Sequence, residues 1–335
     1  MARLDRVNAR VGALRSRLVG ADVLRELLVR PSLEARIDLL VRSGRLAAPP
    51  TERGAPLLDA VEATLRDGLR RDEARLLREV EGERSRGLLA AALGLREGQL
   101  VKVLLRGTAF GAPPDRLVAL APPTAWIPEG RLRELAESTS PEALAEKLAR
   151  DGSPFAAPLR AALVERDRAG LLPAEVAIDR VAFGRVAESA RGRGEDAAAL
   201  ADWLAARADA RNALTLLALG ANVPSRDLFV PGGRRIGAEA YARLARAGVE
   251  ARRRAAAALV PCAPERLSEP AAAERLLEGA ATRRLRLAAR RAPLSLAVPL
   301  AWIEARREEI HRIAVVLRGA ALGLPGDAIL DLVEA

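Results

Sequence analysis

Apolar positions recur at three- and four-residue spacing through most of the 335-residue chain, the period of a helix with one buried face. Leu4, Val7, Val11, Leu14 and Leu18 hold that spacing while Arg3, Arg6, Arg10 and Arg17 fall off the stripe. This predicts a first helix ending near Gly20, with an apolar seam that needs a partner. Val23–Val29 and Ser32–Val41 read as two short helices separated by Pro31, and Gly44–Pro56 reads as a loop by its Gly and Pro content. Leu57–Val80 is a long helix with Leu58, Val61, Leu65, Leu69, Leu76 and Val80 inward and a dense run of charge outward.

Further along, Gly87–Leu95 and Gln99–Leu105 read as helical, and Pro113–Pro128 as an irregular connection holding Trp126. Ser140-Pro141-Glu142 is a helix start: a capping hydroxyl, proline at the first helical position, then an acid at the positive dipole end. Gly152–Pro154 and Gly170–Pro173 punctuate the middle. Helices are predicted over Glu175–Ala190, Asp196–Leu219, Ile236–Leu259 and Ala271–Arg291, with a turn at Phe229-Val230-Pro231-Gly232-Gly233. In the closing stretch, Ile303, Ile310, Ile313 and Leu317 form an apolar stripe. Gly323 stops that helix and Pro325 starts a short last one. No strand-like alternation of useful length occurs, so the expectation is all-α.

The closing helix has an echo. Arg106-Gly107-Thr108-Ala109-Phe110-Gly111-Ala112-Pro113 and Arg318-Gly319-Ala320-Ala321-Leu322-Gly323-Leu324-Pro325 share R-G-x-A-x-G-x-P. Each follows an apolar triplet, and each has a glutamate nine residues before its arginine, Glu97 and Glu309. A weaker copy runs from Asp209 and Asn212 through Gly220-Ala221-Asn222-Val223-Pro224, with Ala218 in the arginine position. Copies about a hundred residues apart are too widely spaced for a stacked solenoid. They predict three related helical lobes, approximately 1–125, 126–235 and 236–335, within one domain.

Half the residues are apolar, mostly Ala, Leu and Val, and only 2% are aromatic, which reinforces the helical reading. The net charge is +10, from 54 basic and 44 acidic residues, and only Lys102 and Lys147 are lysines. The signs mostly alternate, as on a solvated face. The excess leaves room for a docking surface toward an acidic partner. The single cysteine, Cys262, rules out an internal disulfide and fits a reducing compartment. No apolar run is long enough to cross a bilayer.

The chemistry-bearing residues do not gather into a catalytic pattern. His311 is the only histidine, which leaves a His-based triad or metal cluster without a second member. Neither lysine follows a glycine as a P-loop requires, and no D-D-x-x-D magnesium spacing occurs. Gly232-Gly233-Arg234-Arg235 reads as a turn followed by surface arginines, though such a sequence could cradle a phosphate. Asp209 and Asn212 share a helix face and could hold a proton or metal; helix–helix hydrogen bonding is the expected role. Basic residues here lack the interleaved aromatics of a nucleic-acid surface. No catalytic, cofactor-binding or metal residue is expected.

The ordered segments resemble one family, the C subunits of bacterial and archaeal A/V-type rotary ATPases (the d subunits of eukaryotic V-ATPases). Val7-Asn8-Ala9-Arg10-Val11 through Leu18 looks like its opening helix, and Ala208–Thr215 like its central D-x-x-N helix. Phe229–Gly233 is similar to its P-G-G turn, and Leu300–Gly319 to its closing helix, with Trp302 where the family has tyrosine and Arg312 where it has asparagine. The resemblance implies a funnel of three lobes around a cavity that receives the central shaft. It would sit on the membrane proteolipid ring at the cytoplasmic face of the plasma membrane, one copy per complex. It would pass torque without catalysis, cofactor, nucleic acid or small-molecule substrate. Glu97, Arg106, Gly111, Asp209, Asn212, Gly232, Gly233, Glu309, Arg318 and Gly323 would be its structural repeat positions. The competing classes are an arginine-rich helical nucleic-acid binder or scaffold and an all-α enzyme of unfamiliar type.

Overall fold

A computed structural model describes residues 4–46, 55–121, 123–124, 126–219 and 228–334. Among these residues the chain is all-α, with no strand. The first four helices are α1 (Asp5–Arg15), α2 (Ala21–Val29), α3 (Leu33–Arg42) and α4 (Ala55–Glu79). Then come α5 (Glu83–Ala109), α6 (Pro114–Leu120), α7 (Glu129–Ala136), α8 (Pro141–Arg150), α9 (Ala156–Leu163) and α10 (Arg166–Ala169). They are followed by α11 (Leu172–Ser189), α12 (Glu195–Ala218), α13 (Ala238–Ala245), α14 (Val249–Ala257), a 3-10 turn at Pro264–Leu267, and α15 (Pro270–Arg291). The last two are α16 (Ala297–Ala321) and α17 (Gly326–Glu334). The packing divides the chain into two compact units: Met1–Gly82 with Ala292–Ala335, and Glu83–Arg291.

In the first unit α16 is the organiser, packing against α1, α2, α3, α4 and α17. The sequence explains why. Its stripe of Ile303, Ile310, Ile313 and Leu317 is buried, as are Leu4, Val7 and Val11 on α1 and Val61, Leu65 and Leu69 on α4. Removing each such side chain from water contributes roughly 1.5–3 kcal/mol. Ser32 caps α3 by accepting the Ala35 N–H at 3.2 Å, as its position before an apolar stripe predicts. α1 stops at Arg15, ahead of the expected Gly20, and its chain leaves through a turn.

In the second unit α5 packs on α11 and α12 on α15, with α8, α9 and α14 against their flanks. Ser140 caps α8 by accepting the Ala143 N–H at 3.1 Å. Three expectations change here. The segments 87–95 and 99–105 are one continuous helix, α5, despite Gly94 and Gly98. Gly98 is tolerated because it admits a neighbour: a Cβ there would stand 3.0 Å from the Cβ of Ala182. The proline-rich connection contains α6, with Pro114 in its first turn, where a missing N–H costs nothing. Conversely, the predicted helix 236–259 is split into α13 and α14 at Gly248. Arg252 makes the break stable by donating to the carbonyls of Leu244 (3.3 Å) and Ala245 (2.7 Å) at the end of α13, the first shared with the Ala247 N–H.

Candidate functional site

The two strong copies of the repeat share one local geometry, each within its own unit. In the first, Arg106 donates two hydrogen bonds of 2.6 Å to the Glu175 carboxylate, and this pairing raises the guanidinium's proton affinity. Gly107 follows, and Leu117 of α6 presses onto it so closely that a Cβ would lie 2.1 Å from Leu117 Cδ2. Gly111 takes the left-handed conformation (φ 64°), and Ala112 N–H returns to Gly107 O at 2.8 Å, closing the helix in the manner of a glycine C-cap. In the other copy Arg318 binds Glu62 and Asp59, Gly319 admits Ile329, and Gly323 has φ 71°. Leu324 N–H returns to Gly319 O at 2.9 Å. In both, the residue seated on the glycine lies ten positions further on, at the same point of the proline-preceded short helix.

The glutamates at the start of each copy are buried and paired differently. Glu97 faces Arg185 at 3.3 Å, and burial pushes its carboxyl above the ordinary carboxylate value, against the opposing pull of that guanidinium. Glu309 accepts the Val19 N–H at 2.6 Å and pairs with Arg306. It thereby holds the chain that leaves α1.

The middle copy is built otherwise. Asp209 and Asn212 are buried, but they bond to a loop rather than to another helix, which corrects the helix–helix expectation. Asn212 Nδ2 donates to Val230 O at 2.9 Å, and Val230 N–H donates back to Asn212 Oδ1 at 2.8 Å. Asp209 accepts the backbone N–H groups of Arg234 (3.3 Å), Arg235 (3.0 Å) and Ile236 (2.8 Å). Gly232 supplies φ 107°, and a Cβ on Gly233 would stand 2.3 Å from Asp209 Oδ1. The Phe229 and Tyr241 rings meet at a tilt of 53° beside this segment, with centroids 5.5 Å apart. These residues form a clasp that fastens 228–236 to α12. The N–H groups of Arg234 and Arg235, which could have helped to cradle a phosphate, are already occupied by Asp209. The turn Gly220–Pro224 lies outside the described residues.

A buried ionic chain links four helices of the second unit, and motif reading did not find it. Lys102 on α5 donates to Asp179 on α11 at 2.6 Å, both almost fully buried. Asp179 also faces Arg211 on α12 at 3.3 Å, and Arg211 and Arg207 each reach Glu278 on α15 at 3.2 Å. Burial lowers the proton affinity of Lys102, with Asp179 pulling the other way. Burial raises that of Glu278, but Arg207, Arg211 and Lys102 together outweigh it and its carboxyl lies below the ordinary value. The available signal was compositional: Lys102 is one of only two lysines among 54 basic residues. Beside this chain lies a cavity of about 290 Å³ whose lining includes Arg106, Glu175, Asp179, Arg211 and Glu274. Its size is at the lower end for a ligand pocket. Arg106 and Arg211 are already engaged by Glu175, Asp179 and Glu278, so these charges join helices.

Among the described residues no group of three His, Cys, Asp or Glu residues is placed to hold a metal ion. No helix there is long and apolar enough to cross a membrane. Comparison with known proteins gives a consistent answer. The chain is 35% identical over 145 residues to the V-type ATP synthase C subunit of Thermus thermophilus. It is 31% identical over 164 residues to the A-type ATP synthase C subunit of Halorubrum lacusprofundi. The matched part covers 43% of this chain and 43% of the Thermus protein, and 48% and 46% for the Halorubrum protein. The chain thus spans less than half the length of these curated relatives in direct alignment. The profile of the ATP synthase (C/AC39) subunit family reaches much further, matching residues 7–332. Because this match runs through nearly the whole chain, the chain belongs to the ATP synthase (C/AC39) subunit family, whose members are non-catalytic subunits of the complex.

Proposed function

We propose that the chain is the rotor adaptor of a V/A-type ATP synthase. In this reading three similar lobes, near 1–125, 126–235 and 236–335, form a funnel whose cavity takes the central shaft. Its base rests on the proteolipid ring at the cytoplasmic face of the membrane, one copy per complex. The lobe limits follow the sequence repeat rather than the packing units. The observation that carries the reading is the family match over residues 7–332. The chemistry of the described helices supports it. Arg106, Arg318, Asp209 and Lys102 are all committed to holding helices and turns together. An element that passes torque needs such stiffness, since a compliant body would absorb the twist.

The test is a tagged pull-down of the chain from detergent-solubilised host membranes, followed by mass spectrometry. Recovery of head, shaft and ring subunits, with this chain near one copy per complex, is the expected result. Recovery of soluble proteins or nucleic acid alone would overturn the proposal.

A further inference from the structure

Most of the charge excess sits in one place. Glu83–Arg291 holds 34 of the 54 basic residues and 25 of the 44 acidic ones, which assigns nearly all of the +10 to the second unit. From 279 to 303 the sequence has five arginines and no acid. On the second half of α15, Arg283, Arg284, Arg290 and Arg291 are exposed, and Leu287 between them is 50% exposed. At 100° per residue these five positions share a stripe about 120° wide. The opposite face, Ala281, Leu285 and Ala289, is buried.

Several surface arginines elsewhere find carboxylates on their own helix, as Arg25 does with Asp22, Arg253 with Glu250 and Arg312 with Glu308, and those that do not, such as Arg116 and Arg160, do not gather on one stripe. Among the described residues the four arginines of this stripe form no ion pair. The helix dipole accounts for basic residues in the last turn, Arg290 and Arg291. It does not account for Arg283 and Arg284 two turns earlier. We infer that the outer face of α15 is a docking surface for an anionic phospholipid bilayer. Three observations select that occupant. The stripe is a convex helix face, and neither the cavity beside Arg211 nor the one beside Pro173 is lined by it, so it fits a fluid array of negative charges better than a shaped protein ligand. No aromatic residue lies between Tyr241 and Trp302, so α15 itself offers nucleic-acid bases no aromatic ring to stack on. Leu287 sits among the guanidinium groups, where an apolar side chain can enter the headgroup layer as the arginines bind phosphates. The inference concerns the chain by itself and does not rest on the rotor reading.

The experiment is co-sedimentation of the full chain with vesicles of phosphatidylcholine, with and without phosphatidylglycerol, at low and high salt. The chain should partition at least about tenfold better onto the anionic vesicles, and the preference should vanish at about 1 M salt. R283Q/R284Q/R290Q/R291Q should lose it. R116Q/R160Q/R168Q/R193Q, which removes the same charge from other exposed positions of the unit, should keep most of it. Equal binding to both vesicle types would overturn the inference. So would equal losses in the two variants, or retention on random duplex DNA with none on anionic vesicles. If the quadruple variant folds poorly, R283Q/R284Q alone should lose a large part of the preference while R116Q/R160Q keeps it, and equal losses in these two pairs would likewise overturn the inference.

Discussion

Both ends of the Asn212 amide bond to one residue, Val230, satisfying a buried N–H and a buried C=O that have no helix or sheet to join. Asn212→Ala leaves both unpaired, at about 1–3 kcal/mol each, so urea unfolding should show a loss of about 2–6 kcal/mol. Asn212→Asp keeps the acceptor but turns a carboxylate toward the Val230 carbonyl, and should lose nearly as much. A loss below about 1 kcal/mol in either variant would mean that the clasp contributes little. Glu97 gives a pH prediction. Its folded-state affinity for the proton lies above the ordinary value of 4.5 because it is buried. Between neutral pH and that value the folded chain therefore binds more protons than the unfolded one, and this residue's contribution to stability grows as pH falls. The melting temperature of the natural chain relative to Glu97→Gln should rise as pH drops from 7 toward 4.5. A difference that stays flat or shrinks over that window would refute the assignment. Sequence spacing picked out both residues, but not their partners. Val230 is eighteen positions from Asn212 and Arg185 eighty-eight from Glu97, and no local rule links residues so far apart.

At the scale of elements, the R-G-x-A-x-G-x-P pattern encodes a helix end, and four of its five fixed letters have separate physical causes. The arginine clamps an acid, the first glycine admits the next helix, the second reverses the chain, and the proline precedes the short helix. Gly107→Ala and Gly319→Ala put a methyl group within 3 Å of Leu117 and Ile329. Each should destabilise by about 1–3 kcal/mol through overpacking, measurable as a lowered melting temperature. Unchanged stability in both would mean that α6 and α17 are free to shift. The first glycine was legible in the sequence only as a repeated letter. Its contact became visible when the chain had turned back ten residues later. The continuity of α5 and the break between α13 and α14 were not legible. They depend on Ala182 packing against Gly98 and on Arg252 reaching the carbonyls of a neighbouring helix. Lys102 on α5 likewise depends on partners from α11. Lys102→Met leaves Asp179 and Arg211 to rebalance in a buried setting and should cost about 3 kcal/mol. A neutral or stabilising result would show that the ionic chain is replaceable by packing.

For the whole molecule, the first unit joins both ends of the sequence: α16 covers α1, α2, α3 and α4. A chain ending at Arg291 would keep the first eighty-two residues but lose the surface that buries them. Limited proteolysis should then cut within 1–82 while 83–291 persists as a resistant fragment. Equal protection of 1–82 in the truncated and full chains would contradict that dependence. The charge excess, concentrated in the second unit, belongs to this scale as well, because an unpaired arginine is recognisable only after every neighbouring helix has been placed.

The sequence by itself determined the helical class, the apolar stripes, most helix limits, the repeated helix ends and the family to which the profile match assigns the chain. These follow from periodicity, capping and glycine conformation, which act within a few residues. Only the tertiary structure decided that Asp209 and Asn212 hold a loop, that Lys102 is an interior cation, and that the outer arginines of α15 have no carboxylate partner among the described residues. Pairing and burial depend on segments far apart in the chain, and a linear pattern carries no distance between them.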